Sequence, residues 1–132
     1  MDETGLRRAP ILFWMVVLLA VGIIFIGVRF LAAPLTAAAA FGVPTNPTSP
    51  MAYLWAKGTR DIVSGLLLLA LLWMHVSRRV LAVFVLIAAL IAVGDFVNVY
   101  LNMGYVSALA VHGGTAAFMI VLAALLWRRS GR

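Results

Sequence analysis

Four long apolar runs, at residues 11–31, 51–76, 80–101 and 105–127, leave this chain few ways to fold. A helix needs about 20 apolar residues to cross the hydrocarbon core of a bilayer, and each run reaches that length. Of the 132 residues, 65% are hydrophobic and 11% charged, against about 25% charged in a soluble domain. A chain this short cannot bury so much apolar surface in water. The expectation is an all-α integral membrane protein, one domain over residues 1–132, built as a four-transmembrane-helix bundle. Its surroundings are the lipid bilayer, and a bacterial inner (plasma) membrane is the expected location.

The arginines orient the spans. Arg7 and Arg8 precede the first run, Arg78 and Arg79 separate the second from the third, and Arg128, Arg129 and Arg132 follow the fourth. The connections at residues 32–50 and 102–104 carry no charge. Cytoplasmic segments collect Lys and Arg, so both termini are expected to be cytoplasmic. Trp14, Trp73 and Trp127 then fall at that interface, and Tyr53, Trp55, Tyr100 and Tyr105 at the other, as aromatic belts. The net charge of +6 lies mostly at the ends of apolar runs, which argues against nucleic acid as a partner.

A cleaved signal peptide competes for the first run, because Ala32, Ala33, Pro34 and the alanines at 37–40 resemble cleavage-site residues. The run exceeds the roughly 7–15 residues of a signal h-region, so a membrane span is preferred. Arg7 and Arg8 lack the surrounding residues of a twin-arginine signal. Proline removes backbone donors and fixes φ, so residues 44–50 are expected to be non-helical. The alanine-rich stretch at 35–41 can form a short interfacial helix. Ser49 suits an N-cap, with Pro50 at the first helical position of the second span. The chain has no cysteine, so disulfides, thiolate nucleophiles and Cys-based metal sites are absent.

Charges inside such runs are costly and point to function. Residues three and four apart share a helix face. That places Tyr53, Lys57, Arg60, Asp61 and Ser64 on one stripe of the second run. Asp95, Asn98 and Asn102 share a stripe of the third, and Tyr105, His112 and Thr115 one of the fourth. At 1.5 Å per residue, Asp61 lies about 15 Å below the start of its span. By the same rise, Asp95 and His112 lie roughly 10–12 Å from the turn at residues 102–104. Arg29 enters the same leaflet from the first span. One polar pocket, open to the outside, is expected between the spans. Gly58, Gly65, Gly94, Gly113 and Gly114 are expected to let the backbones approach.

Two readings of this cluster stand side by side. In the structural one, Lys57 pairs with Asp61 at i, i+4, and Arg60 reaches Asp95 across the helices. Asn98, Ser64 and Thr115 then supply the hydrogen bonds that a buried pair requires. In the functional one, the cluster binds and converts a small lipophilic molecule. Histidine changes charge near physiological pH, and a carboxylate drawn out of water becomes a stronger base. Asp61, Asp95 and His112 are the catalytic candidates. Lys57, Arg60, Ser64, Asn98, Arg29, Tyr105 and Thr115 are the candidates for holding substrate, the cations through an anionic group or oxyanion.

Such groups suit isomerisation, cyclisation or epoxide opening without a cofactor, and whether the chain is an enzyme stays open. No flavin, haem or quinone signature is present. A metal on Asp61, Asp95 and His112 is opposed by Lys57 and Arg60. A small-molecule or ion transporter is a further reading, and four short spans would then require a homo-oligomer. A non-catalytic accessory protein could use the same pocket. His75, at the cytoplasmic end, reads as interfacial.

The segment Gly58-Thr59-Arg60-Asp61-Ile62-Val63-Ser64-Gly65 resembles a family of small four-span membrane proteins known as domain of unknown function 4267. There a G-x-R-D/E-x-x-x-G segment opens the second span. Gly94-Asp95-Phe96-Val97-Asn98 and Val111-His112-Gly113-Gly114-Thr115-Ala116-Ala117 extend the similarity over most of the chain beyond the first connection. The resemblance implies no activity. It singles out Gly58, Arg60, Asp61, Gly65, Asp95 and His112. The layout also looks like compact four-helix membrane folds that bind sterols or other lipophiles, including the emopamil-binding type, by fold-level analogy alone.

Overall fold

The computed structural model describes residues 10–43, 51–102 and 104–128. The order of elements is α1 (Pro10–Ala32), α2 (Pro34–Phe41), α3 (Met51–Trp73), α4 (Arg78–Leu101) and α5 (Val106–Arg128). The Ser49 cap, Pro50, Arg7, Arg8, Arg129 and Arg132 lie outside the described residues. Each long helix has 23 or 24 residues, or about 35 Å at 1.5 Å per residue.

Local chemistry explains the breaks. Pro34 disfavours helical backbone at the residue before it, and Ala33 sits at φ −143°, ψ 66°. Pro34 then starts α2, where its missing N–H costs nothing. Gly42 closes α2 in the left-handed region at φ 95°, donating its N–H to the carbonyls of Ala38 and Ala39. The second run stops being helical at Trp73, short of the expected residue 76. His75 takes φ 54°. Its N–H meets Leu72 O at 3.1 Å, and Val76 N–H meets Leu71 O at 3.3 Å. This is the paired closure of a Schellman motif, with histidine where glycine is usual. Ser77 caps α4 by accepting from Val80 N–H.

α1 packs mainly on α3, and α4 mainly on α5. A β-carbon on Gly27 would lie 2.6 Å from Gly58 O, one on Gly58 2.8 Å from Gly27 O, and one on Gly65 2.6 Å from Ala20 O. Residue numbers run oppositely along this seam, so α1 and α3 are antiparallel and nearly in backbone contact. Small residues permit this approach, although Gly27 was not among those expected to. Gly94 and Gly114 face open space, and Gly113 only touches Phe96. The close approach expected at those three is therefore absent, because their Cα atoms point away from neighbouring backbones.

All four long helices feed one apolar core, including Val16, Leu68, Val85 and Leu122. A smaller cluster of Phe30, Ala37 and Ala38 seats α2. Gly104 lies against Gly42 O and Val99, and Gly42 against Ala108, which pins the end of α2 to the α4–α5 turn. Large apolar side chains cover the outside, among them Phe25, Leu66, Leu90 and Val121. α1, α4 and α5 are long and apolar enough to cross a membrane, which marks an integral membrane protein in a lipid bilayer. α3 is as long as α1, but Lys57, Arg60 and Asp61 lie in its first half.

Candidate functional site

The charged cluster forms where α3 meets α4, roofed by α1 and α2. Asp61 is 5% exposed and is held by three donors. Lys57 Nζ reaches its Oδ2 at 2.9 Å, and Arg60 Nε and Nη2 reach its Oδ1 at 3.1 and 2.9 Å. Lys57 Nζ also donates to Asp95 Oδ2 at 3.2 Å. Arg60 Nη2 stands 3.7 Å from Asp95 Oδ1. Two cations and two anions thus cancel, as a charge group in apolar surroundings requires. Lys57, not Arg60, is the strong bridge between α3 and α4.

Two aromatic faces complete the setting of Lys57. Its ammonium lies 5.0 Å from the ring centre of Phe30 and 4.7 Å from that of Phe41, within cation–π range. Neither phenylalanine was singled out in the sequence, because an aromatic residue in an apolar run carries no polar signal. Phe41 has a second role. His112 Nε2 lies 3.0 Å from its backbone carbonyl oxygen. A carbonyl only accepts, so Nε2 carries a proton and donates it to Phe41 O. Nδ1 makes no hydrogen bond among the described residues. The rings of Phe41 and His112 also touch, with centres 4.4 Å apart.

A cavity of about 110 Å³ opens beside the cluster. Lys57, Asp61, Ser64, Asp95, His112 and Thr115 supply its polar wall, and residues such as Ile23, Ala88, Ile91 and Met119 the rest. A site holds one water in roughly 10–15 Å³ measured in the same way. The cavity therefore has room for several waters or for the polar head of a larger molecule.

The remaining sequence candidates are placed differently. Ser64 Oγ donates to Arg60 O, and Thr115 Oγ1 to Val111 O, each at 2.8 Å within its own helix. Asn98 is exposed and accepts from Asn102 Nδ2 through its side chain and its backbone carbonyl. These three do not complete the ion pairs as expected, because each meets a partner one helical turn away first. Tyr105 is 69% exposed and does not line the cavity. Arg60 backs Asp61 from outside the cavity, and Arg29 lines a neighbouring one. Among the described residues, no group of His, Asp and Glu is arranged to hold a metal ion.

No curated protein and no solved structure matches the chain. The family comparison does find a match, and it covers Gly27, Phe30 and Phe41 as well as the three segments noted in the sequence: a model of the family described as Domain of unknown function (DUF4267) matches residues 20–126, and the chain belongs to that family.

Proposed function

We propose that the chain is a four-span membrane protein with both termini in the cytoplasm. Its pocket in the opposite leaflet binds the head of a small lipophilic molecule bearing a carbonyl or anionic group, and offers it acid–base chemistry. The basic segments at one end of the helices and their absence at the other support this topology. α3 serves as the fourth span, because Asp61 and Asp95 neutralise its two cations.

The observation that carries the reading is His112. Its Nε2–H is held by Phe41 O, which fixes the ring beside a cavity that also presents Lys57 and Asp95, so that the neutral ring would offer Nδ1 as an oriented acceptor. A base oriented through its other nitrogen is the arrangement that proton transfer requires. Lys57 has three N–H groups, of which two serve Asp61 and Asp95. The third is left for a ligand oxygen. Asp95 is the less committed carboxylate, and Asp61, with three donors, positions Lys57 and Arg60.

The test is crosslinking in nanodiscs with a photoreactive long-chain ketone. Labels are expected on cavity residues such as Ile91 and Met119, and are expected to disappear in Ala88→Phe, which fills the space. Proton transfer next to the ketone would appear as deuterium uptake from heavy water, lost in His112→Ala. Labelling spread evenly over lipid-facing residues would sink the reading. A second reading, a purely structural charge network, is favoured by one fact. Among the described residues, no buried side-chain polar atom lacks a hydrogen-bond partner. On that reading Ala88→Phe changes no labelling, while Asp61→Asn abolishes folding.

A further inference from the structure

A second cavity adjoins the first. It measures about 150 Å³, and Arg29 is its charged residue, with Phe30, Ala37, Phe41, Ala108 and His112 among the others in its wall. The two cavities have Ile26, Phe41, Val111 and His112 in common, but Arg29 lines only this one and Lys57 only the first.

Charge accounting shows why Arg29 matters. The chain has four acidic residues. Asp61 and Asp95 are already matched by Lys57 and Arg60. Asp2 and Glu3 precede α1 in the sequence and lie outside the described residues, whereas Arg29 is in the last turn of that helix. Among the described residues, Arg29 makes no ion pair. The C-terminal end of α1 offers it partial negative charge, but a guanidinium has five N–H donors in a planar fork. That fork matches a carboxylate or phosphate in two-pronged fashion.

We infer that this cavity is an anion site for an amphiphile, whose singly charged oxyanion rests on Arg29 while its hydrocarbon part lies along the apolar wall. Charge complementarity selects the head, and the apolar residues around Arg29 select the tail. Arg29 stands three residues before the end of a helix of about 35 Å, close to where a hydrocarbon core of about 30 Å ends. That is the level of lipid phosphates and of fatty carboxylates alike. The inference does not depend on the ketone reading of the first cavity.

Native mass spectrometry of the detergent-solubilised full chain tests this. The probes are phosphatidylglycerol, oleate and, as the zwitterionic control, phosphatidylcholine. One equivalent of an anionic probe is expected to bind at least about tenfold more tightly than phosphatidylcholine, with Arg29→Gln removing that preference, a loss equivalent to one charge-assisted contact. Ala40→Phe, which narrows the cavity and leaves the charge in place, should do the same. Arg128→Gln, at the other end of the bundle, should not. Preference for phosphatidylglycerol identifies a bilayer lipid as the source, and preference for oleate a free acid. Unchanged binding in Arg29→Gln overturns the inference. So does a loss in Arg29→Gln without one in Ala40→Phe, which would mean surface charge alone. Should Arg29→Gln fail to fold, the comparison of Ala40→Phe with Arg128→Gln still decides.

Discussion

Lys57 is the side chain on which the cluster turns. It bonds two carboxylates on two helices and lies over two aromatic rings, with its side chain only 16% exposed. Removing one partner of a buried ion pair leaves the others uncompensated, at a cost of about 3–5 kcal/mol. Lys57→Met should therefore lower the denaturation midpoint in detergent sharply. Arg60→Met should cost about 1 kcal/mol or less, because that side chain is 42% exposed and screened. Comparable losses in the two variants would show that the charges act as an undivided network. The stripe of Lys57, Arg60 and Asp61 was legible from helical spacing. The division of labour was not, because spacing gives faces and not distances.

The α1–α3 pair is packed with its backbones nearly in contact. Its closeness depends on glycines whose added methyl would meet a carbonyl oxygen of the other helix. Overpacking of this kind costs about 1–3 kcal/mol. Gly58→Ala should destabilise the folded protein accordingly in a detergent-unfolding assay. Gly94→Ala and Gly114→Ala meet nothing, and should be neutral or gain up to about 1 kcal/mol from helix propensity. Destabilisation by Gly94→Ala would reveal a partner surface on that face. The sequence contains all of these glycines in similar apolar settings. Only the crossing of the helices separates the ones that are needed from the ones that are not.

At the scale of the whole molecule, the polar features gather at one end of the helices and the basic segments at the other. The chain has no cysteine, so single cysteines report topology without a background. Thr36→Cys should react with a membrane-impermeant maleimide added to intact cells or spheroplasts. Ser130→Cys should react only after the membrane is permeabilised. Labelling of both from the same side would contradict four spans with cytoplasmic termini. The same experiment on Asp61→Asn asks whether α3 still inserts when it carries two cations and no anion.

Hydropathy alone determined that the chain is helical and membrane-bound, since apolar runs of span length have no stable place in water. The ends of α1, α4 and α5 also follow from it to within a residue or two. The end of α3 does not, because it depends on His75 adopting a backbone conformation that nothing in its type demands. Tertiary structure alone decided that α2 folds back to place Phe41 between Lys57 and His112. It also decided that Arg29 lines a cavity adjoining the first rather than the one that Lys57 lines. The physical reason is the same in both cases. Periodicity records which side of a helix a residue takes, whereas a site is made by the approach of helices, and that is set by packing between residues far apart in the chain.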